Sequence, residues 1–350
     1  MSAVLKDGEI EILDESEASQ IYNKGFFGKP RSGGSLKLEL IEGLYLVESG
    51  RLEVEMGGKK VDANTLIRLG HKREGNFEIR YLVYRDMRKR GYVVKSGVGP
   101  LDFRVYPRGG GPPSATSKYW VIALSERMVF DLKGLIGLLD RAVAARKSLL
   151  AAVVDEEGDL TYYKVSRISP KGRTVERKTK SPAEALFFGD RVMILDPGEA
   201  RRIHESEFFG RLIGRRLQLS LIETAFLMKR GDLRVVNGRT GRMISQTTFL
   251  KEAIKAQADF RMRFKVYEDL KRRGIVVKTG FKYGSHFRAY KGDPGSHHAK
   301  YLVHSFPANY KGMWPEVSRA VRLAHGVKKD ILFGRVGREI DYVRLYRIRP

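Results

Sequence analysis

Hydrophobic and polar positions follow two different periods along this chain, and each period predicts a different element. In LIEGLYLVESG and LIETAFLMKRG, leucine and aromatic residues recur at helical spacing up to Gly50 and Gly231. The charged stretches VYRDMRKRG and VYEDLKRRG predict helices that end at Gly91 and Gly274. Alternating segments such as YVVKSG, FRVY and KYWVIAL predict strands. Helices around LIGLLDRAVAARKS and EVSRAVRLAHGVKKD, followed by closing strands, complete a pattern typical of the α+β (mixed α/β) class.

The whole pattern occurs twice in the chain. The segments Tyr84–Gly97 and Tyr267–Gly280 are identical at eight of fourteen positions, and LKLELIE is repeated as LQLSLIE. The offset between matching positions stays between 181 and 184 residues. This period is too long for a solenoid and indicates a tandem duplication of whole domains.

Each repeat is predicted to contain a small N-terminal α/β domain and a C-terminal mixed-sheet domain, which gives four small domains in two pairs. The segment SPKGRTVERKTKSP is basic and bounded by Ser-Pro, so it is interpreted as a surface linker. The predicted limits are 1–80 and 81–168 for the first repeat, 169–182 for the linker, and 183–262 and 263–350 for the second repeat.

Charge narrows the possible partners. The chain has 66 Lys and Arg against 41 Asp and Glu, a formal net charge of +25, which favours a polyanion, nucleic acid before a membrane surface. The chain has no cysteine, which excludes disulfides and thiolate chemistry. Neither a membrane-spanning apolar run nor a signal peptide is recognisable, so we expect a cytoplasmic protein without membrane contact.

The two copies differ where chemistry is expected. LDFRVY ending at Tyr106 matches SHFRAY ending at Tyr290, but TSKYWV has Thr116 where HAKYLV has His298. Cleavage of RNA without a metal needs a base for the 2′-hydroxyl, an acid for the leaving oxygen and a cation for the phosphate. Histidine suits the acid, lysine suits the cation, and tyrosine serves as a base when nearby cations lower its pKa.

FRAY, the histidine ahead of KYLV and the lysine of GVKKD together resemble the archaeal tRNA-splicing endonucleases of the homodimeric, two-repeat type. The resemblance covers nearly the whole chain and implies a catalytic triad of Tyr290, His298 and Lys329. Lys329 is expected in a helix, and Lys328 beside it is the alternative. A lone histidine is more often structural than catalytic. Four histidines near His298 are therefore alternatives to it: His286, His297, His304 and His325.

A second asymmetry concerns an acidic turn. The first copy carries Asp155, Glu156, Glu157 and Asp159 in VVDEEGDLTYY, whereas the second copy has the shorter FGRVGREIDYV. An exposed hairpin turn explains such a composition by itself. The resemblance implies instead that this loop docks into a basic pocket on the catalytic unit of another subunit, which predicts a two-fold homodimer.

The resemblance also implies that Arg322 and Arg344 hold a bulged nucleotide by cation–π stacking. It predicts cleavage of precursor tRNA at exon–intron junctions within a bulge-helix-bulge motif, leaving 2′,3′-cyclic phosphate and 5′-hydroxyl ends. Neither a cofactor nor a resident metal is expected. The alternatives are a non-catalytic RNA-binding structural subunit and a protein that acts on DNA.

Overall fold

The computed structural model describes residues 1–176 and 181–350. Within these residues each repeat begins with a domain that has a six-stranded sheet and three helices. The elements of the first such domain are β1 Ser2–Lys6, β2 Glu9–Ile12, α1 Glu15–Gly25, β3 Lys29–Pro30, β4 Leu36–Leu38, α2 Leu40–Glu48, β5 Glu53–Met56, β6 Lys59–Val61 and α3 Ala63–Arg73.

The second part of the first repeat has two helices, three antiparallel strand pairs and one parallel pair. Its elements are α4 Phe77–Lys89, β7 Val94–Ser96, β8 Phe103–Val105, β9 Tyr119–Ser125, β10 Val129–Asp131, α5 Leu132–Ala144, β11 Ser148–Val154 and β12 Leu160–Arg167.

The second repeat has the same order of elements. Its N-terminal domain contains β13 Ala183–Phe187, β14 Val192–Ile194, α6 Pro197–Glu207, β15 Arg211–Ile213, β16 Arg216–Leu219, α7 Leu221–Arg230, β17 Leu233–Asn237, β18 Met243–Ile244 and α8 Gln246–Ala256. Its last part contains α9 Phe260–Arg272, β19 Val276–Thr279, a 3₁₀ helix Phe281–Tyr283, β20 Phe287–Tyr290, β21 Tyr301–Pro307, β22 Lys311–Met313, α10 Trp314–Gly326, β23 Asp330–Val336 and β24 Ile340–Ile348.

The duplication predicted from the sequence is confirmed by the strand order. The N-terminal sheets run β3-β4-β2-β1-β5-β6 and β15-β16-β14-β13-β17-β18, which is the same order in the two copies. The helices predicted to end at glycine do so: Gly231 caps α7 with a φ of 84°, and Gly91 and Gly274 follow α4 and α9 with φ of 84° and 73°. Glycine adopts these left-handed angles without the steric cost that a Cβ would add.

The two C-terminal domains differ from the prediction of separate units, because they share one ten-stranded sheet. Its order is β19-β20-β21-β23-β24-β12-β11-β9-β8-β7, so the closing strand of each repeat lies at the centre. There β12 and β24 pair antiparallel, from Tyr162 opposite Ile348 to Arg167 opposite Val343. The short strands β10 and β22 also pair across the repeats. Edge strands expose unpaired backbone groups, and this pairing removes one edge from each domain.

A core between the repeats covers one face of this central pairing. Helices α5 and α10 lie over it, and the buried ring of Trp314 lies 5.1 Å from Phe130 and 6.0 Å from Tyr163, both of the first repeat. Tyr163 also donates its hydroxyl hydrogen to Ser318 of α10 at 2.9 Å. The two repeats therefore fold against each other as parts of one hydrophobic core.

The N-terminal domain of each repeat is attached to the sheet by the same buried contact. In the second repeat the ammonium of Lys278 donates to the carbonyl of Gly210 at 2.6 Å, and Glu223 accepts from the Gly210 amide at 2.8 Å. In the first repeat Lys95 and Glu42 contact Gly28 in the same way. A partly buried lysine that donates to a carbonyl beside a carboxylate connects the N-terminal domain to the sheet, so the lysine of VVKSG and VVKTG has a structural role.

The described part of the linker, up to residue 176, lies against the second repeat. Arg173 donates its backbone hydrogen to the carbonyl of Lys291 at 2.8 Å, and Thr174 donates to Gly274 at 3.0 Å. A Cβ on Gly172 would lie 1.9 Å from the carbonyl oxygen of Gly274, so only glycine allows this approach. The rest of the predicted linker includes residues 177–180, which lie outside the described residues.

The predicted domain limits at 80/81 and 262/263 fall inside α4 and α9. These helices begin at Phe77 and Phe260, both fully buried, and continue without a break across the predicted limits. The domain limits stay predictions.

The core between the repeats makes Trp314 a sensitive position. Trp314→Ala should lower the free energy of unfolding by about 3–5 kcal/mol, the usual cost of truncating a fully packed tryptophan. Val143→Ala, an exposed site on α5, should change it by less than about 0.5 kcal/mol. Guanidinium denaturation followed by circular dichroism measures both, and equal effects would contradict a core shared by the repeats.

Candidate active site

Three strands of the second repeat end or begin at the same edge of the large sheet. β20 ends at Tyr290, β21 begins three residues after His298, and β23 begins directly after Lys329. Backbone hydrogen bonds connect this row: Lys300 donates to Ala289 at 3.0 Å, and Asp330 donates to Lys300 at 3.2 Å. Neighbouring strand backbones are about 4.8 Å apart. Because only β21 lies between β20 and β23, the backbones of Tyr290 and Lys329 are two strand spacings apart, roughly 10 Å. The fold thus brings the predicted triad residues to one edge.

Tyr290 is largely buried at the end of β20. Its ring packs with Val276 and Ala299, and Phe208 of the N-terminal domain covers the same cluster. The guanidinium carbon of Arg288 lies 5.9 Å from the centre of the Tyr290 ring. A cation within about 6 Å of an aromatic ring is attracted to its face.

His298 is exposed in the loop between β20 and β21. The carboxylate of Asp293 organises this loop by accepting from the Gly295 amide at 2.7 Å and from the Ser296 hydroxyl at 3.1 Å. His298 follows this turn and directly precedes Ala299, which packs on Tyr290. Its imidazole has no hydrogen-bond partner among the described residues and is therefore accessible to a substrate.

Lys329 does not lie in a helix, contrary to the prediction. α10 ends at Gly326, and Lys328 adopts a left-handed φ of 55°, which turns the chain into β23. Lys328 is exposed, whereas the ammonium of Lys329 donates to the carbonyl of Val327 at 3.1 Å and lies 5.4 Å from the ring centre of Tyr283. In the first repeat, Arg146 and Lys147 have the same backbone arrangement, with a left-handed φ of 56° at Arg146. The backbone correspondence favours Lys329 over Lys328.

Two of the four alternative histidines have packing partners inside the protein. His304 stacks on Phe306 and Phe333, and its ring centre lies 5.3 Å from that of His286. His286 accepts the Ser305 backbone hydrogen at 2.9 Å. Burial and the nearby charge of Arg263 lower the pKa of both histidines to about 4. They are neutral at pH 7 and fit a structural role.

The other two histidines lie outside the core. His297 is hydrogen-bonded to the hydroxyl of Ser296 at 2.9 Å, within the same loop as His298. His325 is exposed in the last turn of α10.

The acidic turn joins β11 to β12 at the surface. The carboxylate of Asp155 accepts from the amides of Glu157 and Asp159 at 3.1 and 2.9 Å, so it stabilises the turn itself. Glu156 pairs with Arg127 at 3.0 Å. Glu157 and Asp159 are exposed, and their carboxylates have no ion-pair partner in the described part of the chain. These two charges are available to another molecule.

A cavity of about 850 Å³ lies between the N-terminal and C-terminal domains of the second repeat. Among the described residues that line it, six are basic and two are acidic. The basic residues are Arg191, Arg211, Arg263, Lys278, Lys282 and Arg288, and the acidic ones are Asp190 and Glu223. We call this cavity the basic cleft. Its excess of cations favours an anionic occupant.

The corresponding cleft of the first repeat is smaller and neutral. It measures about 350 Å³, and its described lining has three basic and three acidic residues: Lys37, Arg73, Arg80, Glu9, Glu39 and Glu74. Glu9 pairs with Lys37, and Glu74 pairs with Arg80. At the positions that match these three glutamates, the second repeat has Arg191, Ser220 and Gln257.

A fourth acidic position changes in the same way without disturbing the fold. Asp102 accepts the backbone hydrogen of Ala123 at 2.7 Å, and the matching His286 accepts that of Ser305 at 2.9 Å. Asp102 also pairs with Arg80 at 3.0 Å. The second repeat keeps the hydrogen bond and loses the negative charge.

The two arginines predicted to hold a nucleotide lie in different surroundings. Arg322 is exposed on α10, without an ion-pair partner in the described residues. Arg344 lies on β24 and is already engaged: its guanidinium is 3.5 Å from Asp330, 3.3 Å from the Ser166 hydroxyl and 4.6 Å from the Tyr346 ring centre. Stacking on a nucleotide would require Arg344 to release some of these partners.

Sequence reasoning did not identify the residues that line the basic cleft or the ring of Tyr283. Residues far apart in the sequence form the cleft, so only the matched loss of four acidic residues in the second copy signals it. Tyr283 belongs to TGFKYGSHF, which is one residue longer than SGVGPLDF in the first copy. That insertion is the available signal for an added feature near Lys329.

Metal and membrane features were searched in the described ranges. Between residues 1 and 176 and between 181 and 350, no group of three or more His, Asp and Glu side chains could hold a metal ion. In the same ranges no helix has the length and the apolar character needed to cross a bilayer.

Comparison with known families assigns both parts of each repeat. The family model described as "tRNA intron endonuclease, N-terminal domain" matches residues 1–67 and 183–250. The model described as "tRNA intron endonuclease, catalytic C-terminal domain" matches residues 77–162 and 260–342. The chain belongs to the tRNA intron endonuclease family. The second match of each model confirms the tandem duplication.

Similar proteins named tRNA-splicing endonuclease occur in archaea. The chain is 37% identical over 344 residues to one from Methanococcoides burtonii, with 97% of each chain covered. It is 37% identical to one from Methanosarcina mazei, covering 98% of this chain and 97% of the relative, and 33% identical to one from Natronomonas pharaonis over the full length of both. The predicted membership among the archaeal tRNA-splicing endonucleases is confirmed, and members of this family are enzymes.

The buried histidines of this tRNA intron endonuclease family member predict a pH dependence of stability. The pKa of His304 is about 4 in the folded protein and about 6.5 in an unfolded chain. Between these values only the unfolded chain binds the proton, so stability falls as the pH falls from 6.5 to 4. The loss from His304 is at most about 3 kcal/mol.

His304→Phe should keep the aromatic stack and reduce this acid-induced loss of stability. Urea midpoints at pH 6.5 and 4.5 measure it in the wild type and the variant. His298→Ala, at an exposed site, should leave the pH dependence unchanged. An identical loss in the wild type and in His304→Phe would contradict the assignment of His304 as a buried neutral group.

Proposed function

We propose that the protein is a metal-independent tRNA-splicing endonuclease that cuts precursor tRNA at exon–intron junctions in a bulge-helix-bulge motif. One observation carries the proposal: Tyr290, His298 and Lys329 meet at one edge of the sheet in the second repeat. The first repeat keeps Tyr106 and Lys147 at the matching positions but has Thr116 in place of the histidine. We therefore assign one catalytic site to each chain.

In the proposed reaction Tyr290 removes the proton of the 2′-hydroxyl next to the scissile phosphate. The resulting 2′-oxygen attacks phosphorus and forms the new P–O bond of a 2′,3′-cyclic phosphate. The ammonium of Lys329 stabilises the extra negative charge of the pentacovalent phosphate. His298 donates a proton to the 5′-oxygen as the P–O bond to it breaks, so the second product ends in a 5′-hydroxyl.

Two features of the site support this division of roles. Arg288 lies near the ring of Tyr290, which places a positive charge beside the proposed base. His298 is exposed in a loop, so solvent can restore its proton between turnovers. The net charge of +25 supplies the attraction for a precursor tRNA. Arg322 and Arg344 are proposed to hold a bulged nucleotide across the dimer.

We also propose that two chains form a homodimer in which the acidic turn of one chain enters the basic cleft of the other. Glu157 and Asp159 supply negative charges without an ion-pair partner in residues 1–176 and 181–350, and the basic cleft has six cations against two carboxylates among its described lining residues. The first repeat has the turn and a neutral cleft, and the second repeat has the basic cleft without the acidic turn. This division supports a dimer in which a two-fold axis brings the turn of each chain to the cleft of the other.

The cleavage experiment uses an intron-containing precursor tRNA in EDTA. The wild type should give 2′,3′-cyclic phosphate and 5′-hydroxyl ends and should not cut a substrate with a 2′-deoxy sugar at the junction. His298→Ala should lower the single-turnover rate by roughly 10²–10⁴-fold, the usual contribution of a general acid, with nearly unchanged RNA affinity.

Thr116→Ala, the matching change in the first repeat, is the control and should leave the rate unchanged. Cleavage of the 2′-deoxy substrate would contradict the proposed nucleophile. Binding of the precursor tRNA without any cleavage would favour the alternative of an RNA-binding structural subunit.

Docking is tested by the double change Glu157→Gln and Asp159→Asn, which removes two charges and keeps the shape of the turn. The dimer should weaken and cleavage should fall in parallel, because cations desolvated in the cleft lose their partners at a cost of about 2–5 kcal/mol. Light scattering and the cleavage assay are run on the same sample over a dilution series.

Glu339→Gln, on the corresponding hairpin of the second repeat, is the matched control and should leave the dimer intact. Asp155→Asn tests the stability of the turn rather than its charge contacts, because the Asp155 carboxylate accepts hydrogen bonds from within the turn. An unaltered dimer after the double change, or a fully active monomer, would refute docking.

A further inference from the structure

The ring of Tyr283 lies beside two cations of the candidate active site. The ammonium nitrogen of Lys329 is 5.4 Å from the ring centre, and the guanidinium carbon of Arg288 is 5.8 Å from it. Arg288 is in turn 5.9 Å from the ring centre of Tyr290. Cations within about 6 Å of an aromatic ring are attracted to it. Tyr283 and Arg288 thus form a continuous path of contacts from Lys329 to Tyr290.

The backbone around Tyr283 is fixed. Tyr283 closes a 3₁₀ helix by donating to the carbonyl of Gly280 at 2.8 Å, and Gly284 ends it with a left-handed φ of 59°. A Cβ on Gly280 would lie 2.3 Å from the hydroxyl oxygen of the buried Ser285, so the loop is closely packed at its base. The ring of Tyr283 itself packs against the core under α10. The ring is therefore a rigid surface for a flexible side chain.

Lys329 needs such a surface. The only hydrogen-bond partner of its ammonium group among the described residues is the carbonyl of Val327, at 3.1 Å. A lysine side chain has four rotatable bonds, and ordering it costs conformational entropy. A charge-stabilising group contributes most to catalysis when it is already in place before the reaction.

The first repeat has the lysine without the ring. Lys147 matches Lys329, but the loop there is one residue shorter, and Leu101 packs against the same core as Tyr283 does. No cation–π contact is found for Lys147 within the described residues. The ring is therefore present in the copy that has the histidine and absent from the copy that lacks it.

We infer that Tyr283 is a positioning residue for Lys329: its ring holds the ammonium group at the place where the phosphate charge develops. The inference rests on the proposed function, because it assumes that Lys329 stabilises this charge. It also explains why Lys147 can persist in the first repeat without forming a second catalytic site.

The test replaces the ring with an apolar side chain that has no π face. Tyr283→Leu should keep the packing that Leu101 provides in the first repeat and should lower the single-turnover cleavage rate by about 3- to 30-fold, the range expected for one cation–π contact. The dissociation constant for precursor tRNA should stay the same. Tyr283→Phe keeps the ring and should restore the wild-type rate. Leu101→Tyr, which adds a ring to the corresponding loop of the first repeat, is the control and should have no effect.

A double-mutant cycle with Lys329→Ala separates positioning from direct contact with RNA. Adding Tyr283→Leu to Lys329→Ala should cause no further loss of rate, because the group that the ring positions is gone. A further loss in the double variant, or weaker RNA binding by Tyr283→Leu, would overturn the inference and assign the ring to base stacking. A normal rate for Tyr283→Leu would also overturn it. A normal rate for Lys329→Ala would instead refute the proposed role of the lysine.

Discussion

The antiparallel pairing of β12 with β24 is the contact on which the rest of the molecule depends. It joins two five-stranded halves into one sheet and brings Tyr163 and Val165 of one repeat into a common core with Val343 and Leu345 of the other. Each half alone would expose both a strand edge and the apolar side chains that pack across the repeats, such as Phe130 and Trp314. The relative orientation of the two repeats is therefore set by backbone hydrogen bonds and by buried surface together.

Within this symmetric frame the two repeats have diverged mainly in charge. The buried lysine–glutamate contact that attaches each N-terminal domain is kept in both, as Lys95 with Glu42 and Lys278 with Glu223. Around the clefts the acidic residues of one copy are neutral or basic in the other. Asp102 and His286 show how such a change is accommodated, since a carboxylate oxygen and an imidazole nitrogen accept the same backbone hydrogen. The backbone is preserved because the hydrogen bond is preserved, whereas the net charge of the cleft changes from neutral in the first repeat to positive in the second.

Much of the fold could be predicted from local sequence. The glycines after α4, α7 and α9 end helices because they adopt left-handed angles, and this signal lies within a few residues. The duplicated strands could be predicted for the same reason. The single ten-stranded sheet could not, because nothing in the pattern of β12 or β24 specifies its neighbour. The helix expected to contain Lys329 ends at Gly326, since the left-handed conformation of Lys328, a residue that rarely adopts it, has no recognisable signal.

The candidate site was predictable to the extent that the two copies could be compared. The difference between His298 and Thr116 identifies one position, and the longer TGFKYGSHF loop indicates another. The contacts of Arg344 with Asp330 and Ser166 depend on strands from both repeats. Such contacts follow from tertiary structure alone.

The linker between the repeats, which lies along the second repeat up to residue 176, fixes the ratio of first to second repeats in the folded protein at one to one. A covalent connection keeps the two halves at an effective concentration on the order of millimolar, however weak their own affinity becomes. It also guarantees that every first repeat pairs with a second repeat, which separate chains of equal affinity would do only part of the time. Once the pairing was guaranteed in this way, one half was free to lose its histidine while the other kept it.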